Sequence, residues 1–201
     1  MKKIKIAITG GIGSGKSTAI SYIRSLGYPV FSCDQIYNEI IKTKVYIDQI
    51  AKVFPDAYQN GGINRNILSK IVFSNPEKRE ILNGISHPLV MRALYKQMSN
   101  CKDEYTFAEV PLLFEGNFEN EFDYVIVIRR NERIRMEGVK KRSGLSIEDI
   151  KKRIDAQFKY DTQEGRDRLK KCKAYIIDNE KDKENLFKEL QEVICKIKTQ
   201  S

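Results

Sequence analysis

Residues Ile4–Thr9 (IKIAIT) alternate apolar side chains with Lys5 and stop at a glycine-rich turn, after which Lys16–Leu26 carries its apolar side chains at helical spacing. A period near two predicts a strand and recurrence at three and four predicts a helix, so the chain opens as strand, glycine loop, helix. A second short apolar run, Pro29–Cys33, follows Gly27 and leads into Asp34 and another helical pattern. Strand, helix and strand in succession predict a parallel sheet and an α/β class. From 34 to about 100 the pattern is helical throughout. Ile47, Ile50, Ala51 and Phe54 share one face, Ile67–Phe73 follows, and two further segments begin after Pro76 and after Pro88. No strand-like run interrupts this stretch, which reads as a helical insertion over 34–103. Strands return at Tyr105–Val110 and Tyr124–Ile128, both rich in β-branched and aromatic residues. The stretch 131–172 is strongly charged and poor in large apolar side chains; Ser146 and Asp149 have the spacing of a capping arrangement opening a second helix after the Ser143–Gly144 turn. Such a polar helical pair suits a mobile lid, the lesser alternative being an exposed hairpin without a role. Tyr175–Ile177 supplies a last strand, and Leu186, Leu190, Val193, Ile194 and Ile197 mark one face of a closing helix. The predicted core is therefore assembled from 1–33, 104–130 and 173–201.

Composition narrows the class. At 201 residues the chain suffices for one substantial core with insertions but is short for two independent domains. With 41% hydrophobic and 31% charged residues it belongs with folded globular proteins, and no apolar run is long enough for a membrane-spanning helix. The opening MKKIKIAITGG has the lysines of a signal peptide, but Lys5, Gly10 and Gly11 break the apolar run too early, and a first strand is the better reading. Cys33, Cys101, Cys172 and Cys195 are widely spaced and only one histidine is present, which argues against a zinc site and for reduced thiols in the cytoplasm. A net charge of +9 favours a polyanionic partner, either nucleic acid or a multiply phosphorylated small molecule.

Gly10–Ser17 reads GGIGSGKS and fits GxxxxGK[ST], with a predicted strand before it and a helix after. The glycines let the backbone curl so that the amides of Gly11, Ile12, Gly13, Ser14, Gly15, Lys16, Ser17 and Thr18 face phosphate oxygens at the positive end of the following helix. Lys16 neutralises the outer phosphates and the Ser17 hydroxyl is a ligand for Mg²⁺, so ATP with magnesium is the expected cofactor pair. A guanine-reading segment of the NKxD type is missing, Asn179–Glu180–Lys181–Asp182 having the wrong order, and 201 residues hardly accommodate a motor. A small-molecule kinase leads, with a nucleic-acid-binding ATPase as the competitor from another class; no interleaving of aromatic and basic residues supports the latter. Phosphoryl transfer to a hydroxyl needs a carboxylate near the loop. Asp34, at the tip of the second predicted strand, is suitably placed for that, and it could equally cap the helix that follows. Glu109, ending another strand, could approach the magnesium or simply be a strand-end glutamate.

These residues resemble the dephospho-coenzyme A kinase family. Thr9–Thr18 (TGGIGSGKST) and Leu26–Asp34 (LGYPVFSCD) match its opening; Gly62–Arg65, Ile85–Pro88 and Pro111–Glu115 (PLLFE) match its Gly-x-Leu-Asp-Arg, Ile-x-His-Pro and PLLFE segments. Arg142 with Gly144, Arg153–Gln157 and Ile177–Asn179 continue the match to the end of the chain. The resemblance implies a P-loop NTPase-type parallel sheet flanked by helices, a helical coenzyme-binding insertion, a lid, and transfer of the ATP γ-phosphoryl group to the ribose 3′-hydroxyl of dephospho-coenzyme A. By the same resemblance Asp34 orients the acceptor, Arg142 approaches the ATP phosphates, Asn179 joins the nucleotide-binding residues, and Arg65 and His87 fall in the acceptor domain. His87 could otherwise fix a helix entry. A monomer without nucleic-acid or membrane partners is expected. Four departures stand out: Ser32–Cys33–Asp34 in place of Asp-Ala-Asp, Arg135 and Gly138 where the lid usually has Gln-x-x-Arg, Lys173–Ala174 in place of Ala-Asp, and a longer 158–171.

Overall fold

The computed structural model describes residues 3–201, which divide into two compact units. One comprises the chain through Phe31 together with Cys101–Ser201, the other Ser32–Asn100.

The first unit is built on a five-stranded sheet of order β2-β5-β1-β6-β7, in which β1 (Ile4–Thr9) is central and pairs in parallel with β5 (Tyr105–Glu109) and β6 (Tyr124–Arg129). β7 (Tyr175–Asp178) continues the parallel pairing from β6, and β2 (Val30–Ser32) lies at the other edge. The period-two pattern explains the burial: Ile4, Ile6 and Ile8 enter one core with Ala19, Ile20 and Ile23 of α1 (Lys16–Ser25) and the apolar stripe of α9 (Lys183–Gln200). All five stripe residues, Leu186 to Ile197, are buried as the spacing predicts. The chain moves from β1 outward to β2, and later from β5 across β1 to β6. The loop after β1 therefore opens at the point where the strand order reverses, the crevice in which open parallel sheets bind ligands.

The segment expected to be a charged helical pair contains three helices: α6 (Glu132–Ser143), α7 (Ile147–Asp155) and α8 (Gln163–Lys171). Each opens on a side-chain cap, with Asn131, Ser146 and Thr162 accepting from the backbone amides of Arg133, Asp149 and Gly165. Ser146 also donates to Asp149 Oδ2 at 2.7 Å, so the two residues do form the inferred capping arrangement. Val139, Ile150 and Ile154 make a small core of their own.

In the second unit α2 (Cys33–Ile40), α3 (Lys44–Val53), α4 (Arg65–Phe73) and α5 (Pro76–Asn100) pack around Tyr46, Ile50, Phe54, Ala57 and Leu68. Three expectations are corrected here. A two-stranded hairpin, β3 (Tyr58–Gln59) and β4 (Gly62–Ile63), does interrupt the helices; its turn is Asn60–Gly61, both at positive φ, the pairing that tight hairpins favour. Pro88 does not separate two helices but sits inside the 25-residue α5. One backbone hydrogen bond is lost there, and packing of α5 against α2, α3 and α4, with Leu82, Ile85 and Leu89 facing the core, carries the helix through. Cys33 begins α2 rather than ending β2, because the strand passes into the helix without a loop.

Candidate active site

Gly10, Gly13 and Gly15 adopt φ of +146°, +75° and +102°, which L side chains rarely accept. Contacts exclude a side chain as well: a Cβ on Gly10 falls 2.1 Å from the Ile128 carbonyl oxygen, and one on Gly15 falls 2.2 Å from Asn179 Nδ2. The loop needs glycine at these places for shape and for space. It delivers the chain into α1 with Gly15 at the cap position, no side-chain cap and no acidic residue in the first turn. Helices begin with amides that lack intrahelical partners, and α1 presents its own to whatever the loop cradles.

Two side chains brace the loop from inside. Lys16 Nζ donates to the carbonyl oxygens of Gly10 and Gly11 at 2.5 and 3.1 Å. Buried Asn179, at the end of β7, donates through Nδ2 to the Ser14 carbonyl at 2.8 Å. Its own amide donates to the Arg129 carbonyl, and Arg129 grips Asp178 through Nε and Nη2, both at 2.9 Å. That carboxylate raises the Arg129 pKa and ties the ends of β6 and β7 together. Ser17 lies exposed in the first turn of α1. Glu109 ends β5 in register with Ile8 of β1, beside the strand that feeds the loop.

From the outside, Arg135 of α6 and Gln157, just past α7, bind the loop at Ile12. The Ile12 amide donates to Gln157 Oε1 at 2.9 Å, and its carbonyl accepts from Arg135 Nε at 2.8 Å. Arg135 Nη2 then donates to the same Gln157 oxygen at 2.9 Å. Burial lowers the Arg135 pKa, since removing a guanidinium from water disfavours its charge. A cavity of about 340 Å³ adjoins this cluster, lined among others by Gly11, Arg135, Gln157, Lys159 and Tyr160. The Tyr160 hydroxyl faces Thr9, and burial keeps it protonated well above the usual phenol range.

The segment that carries Gln157 is itself anchored. Glu115 Oε1 accepts from the Phe158 amide at 2.9 Å, and the Phe158 ring stacks on Phe114 with centroids 4.6 Å apart. Arg168 of α8 lies over both rings, donates to the Phe114 carbonyl at 2.7 Å, and pairs with Glu119 at 2.6 Å.

The sequence-predicted residues fall into three groups. Gly11 to Thr18 and Asn179 form one cluster, as described. Arg142 is exposed in the last turn of α6. Asp34, Arg65 and His87 belong to the second unit. Asp34 is the second residue of α2 and exposed; Ser32 holds the cap position, which corrects the alternative reading of Asp34 as the N-cap. Arg65 opens α4, exposed, and its charge is felt at the buried Tyr46 hydroxyl. His87 sits half-buried in α5 beside Ser86, which contacts the Tyr46 hydroxyl at 3.2 Å, and burial lowers its pKa. Sequence reasoning had no role for Gln157, Glu115 or Tyr160. The first two lie in the RIDAQ and PLLFE motifs, but a motif does not tell which of its side chains turns toward the loop.

A family profile described as dephospho-CoA kinase matches residues 4–185. A Staphylococcus aureus protein named dephospho-CoA kinase is 34% identical over 198 residues, covering 94% of this chain and 91% of its own. Among solved structures, a Thermus thermophilus protein superposes with a TM-score of 0.82 at 32% identity, covering 98% of each chain. A Campylobacter jejuni dephospho-CoA kinase superposes with a TM-score of 0.66 at 30% identity, covering 96% of each. A phosphate loop alone is shared by many unrelated kinases, whereas likeness sustained from the first strand through α6 to α8 and into the last helix is not, and the chain belongs to the dephospho-CoA kinase family.

Proposed function

We propose that this chain transfers the γ-phosphoryl group of ATP to the 3′-hydroxyl of the ribose of dephospho-coenzyme A, completing coenzyme A synthesis in the cytoplasm. The observation that carries this reading is the uncapped, glycine-shaped entry into α1, set in a chain that resembles dephospho-CoA kinases from end to end. The loop geometry suits ATP: α1 begins at Gly15 without a side-chain cap, and Lys16 can exchange two loop carbonyls for phosphate oxygens. Ser17 and Glu109 are the residues that would hold magnesium. Among the described residues no three metal-ligating side chains converge, which suits an ion held chiefly by phosphates and water. Bound ATP with magnesium supplies the phosphoryl group and neutralises part of its charge.

In this reading Asp34 accepts the proton of the ribose hydroxyl as its oxygen bonds to the γ-phosphorus and the bond to the β-phosphate oxygen breaks, releasing ADP. Arg142 covers the migrating group, and Arg65 and His87 contact the acceptor. Asp34 stands two residues past the last residue of β2, and carboxyl ends of parallel strands are where such sheets place ligands. The test is an ATP-coupled assay over a panel of acceptors. Turnover confined to dephospho-coenzyme A supports the assignment. Faster turnover of a nucleoside monophosphate or a sugar acid replaces it with another small-metabolite kinase, and hydrolysis stimulated by DNA or RNA replaces it with a nucleic-acid ATPase.

A further inference from the structure

Ile12 is held at every point where a residue can be held. Its amide and its carbonyl are both hydrogen-bonded to side chains from the charged segment, at 2.9 and 2.8 Å, and the two side chains are bonded to each other. Its own side chain packs into the small core of Val139, Ile150 and Ile154, together with Met136 and Leu145. The next residue is fitted as closely: a Cβ on Gly13 would lie 2.9 Å from the Arg135 carbonyl oxygen and 2.9 Å from a Val139 methyl. The Ile12 amide lies in the peptide plane shared with Gly11 and its carbonyl in the plane shared with Gly13, so one hydrogen bond holds each of the two planes. The second plane carries the Gly13 amide, so its orientation sets where that amide points, and the Ser14 amide next to it closes back on the Gly11 carbonyl at 3.2 Å.

We propose that Arg135 and Gln157 are positioning residues for phosphoryl transfer, which lock the two peptide planes flanking Ile12 and thereby hold the loop in the shape that receives the triphosphate. Glu115 and Phe114 hold the clamp in turn, through the Phe158 amide and ring immediately beyond Gln157. Arg135 has two tasks that lysine cannot combine. It donates through Nε to Ile12 and through Nη2 to Gln157, a fork that a single ammonium does not reproduce. Gln157 needs only an acceptor oxygen at its tip, because both of its partners in the clamp are donors. Glutamate can therefore replace it and leucine cannot.

The proposal rests on the reading that the loop binds ATP, and the experiment separates the two. ATP binding with magnesium is measured by calorimetry, and KM and kcat for both substrates are determined, in the parent chain, Gln157→Leu, Gln157→Glu and Arg135→Lys. Loss of one well-made hydrogen bond corresponds to about a tenfold change in an equilibrium constant. Gln157→Leu and Arg135→Lys are expected to raise KM for ATP by about fivefold or more, leaving KM for dephospho-coenzyme A within about twofold. Gln157→Glu is expected to return to within about threefold of the parent. A smaller rise in both impaired variants overturns the clamp. So does a parallel rise in both KM values that glutamate does not rescue, because that pattern marks a merely structural contact. If Gln157→Leu does not fold, Arg135→Lys decides alone by the same KM criterion. A parent chain that binds no ATP overturns the nucleotide reading and the clamp together.

Discussion

The side-chain amide of Asn179 donates to the carbonyl of Ser14 at 2.8 Å, joining residues 165 positions apart in the chain. The contact is buried, and the Ser14 carbonyl is part of the turn that brings the loop into α1. Asn179 thus serves the loop's shape through its amide nitrogen, a role that neither a strand-end position nor a surface polar residue would suggest.

Replacing Asn179 by Ala leaves that carbonyl without its donor, which costs about 1–3 kcal/mol. For a chain of this size the melting temperature is expected to fall by roughly 2–4 °C per kcal/mol. Asn179→Asp should be worse than Ala at neutral pH, since an ionised carboxylate can only repel the Ser14 oxygen. Thermal melts of the two variants at pH 7.5 check the order.

Lys16→Ala removes the ammonium that the loop holds at Gly10 and Gly11. Both ATP affinity and turnover should drop, kcat by about 10²–10³, because the same charge serves the bound triphosphate and the transferring group. Calorimetric ATP binding alongside steady-state rates tests this, and parent-like values for both would remove Lys16 from the site.

Asp34→Asn separates chemistry from nucleotide binding. Turnover should fall by about 10²–10⁴, while ATP affinity stays within about twofold. A variant that turns over at the parent rate would return Asp34 to being an exposed residue in the first turn of α2.

How far the sequence disclosed all this depends on the range of the interactions involved. Local chemistry was readable: the IKIAIT alternation, the glycine loop, the Ser146–Asp149 cap and the α9 stripe each follow from neighbours within a turn or two. Failures occurred where distant contacts decide. Two-residue strands at Tyr58–Gln59 and Gly62–Ile63 are too short to alternate, and only the Asn60–Gly61 pair signalled them. Pro88 looked like a helix boundary until packing around Leu82, Ile85 and Leu89 overruled it. At the site, Lys16 and Ser17 were recognisable by motif. Gln157 was not, because its significance lies entirely in meeting Ile12 across 145 positions of chain.

Arg168 and Glu119 make the charge pair that seats α8, with side chains only 20% and 8% exposed. Arg168→Met alone strands the Glu119 carboxylate and is expected to cost about 3–5 kcal/mol. The double variant Arg168→Met, Glu119→Leu should recover most of that loss, because burying two apolar side chains avoids the desolvation of both charges. Denaturant titrations of the single and double variants measure the difference; equal destabilisation would show that the guanidinium's stacking on Phe114 and Phe158 outweighs its charge.

His87 gives a pH dependence of definite sign. Burial lowers its pKa below the value of about 6.5 it has when unfolded, so protonation favours the unfolded chain. The stability it contributes is complete above pH of about 6.5 and is lost as pH falls through the folded-state value. His87→Gln should flatten this acid limb, so that the melting temperature declines less between pH 7 and 5 than in the parent. An unchanged slope would show that other groups govern it.

Ile12 belongs to the phosphate loop by chain position and to the core of Val139, Ile150 and Ile154 by packing. A graft exchanging residues 131–172 with those of a relative must therefore carry position 12 along, or leave a mismatched plug beneath the transplanted helices. Substitutions at position 12 across relatives are accordingly expected to accompany changes at Val139 and Ile154, more than a hundred residues away, rather than at the glycines on either side of it.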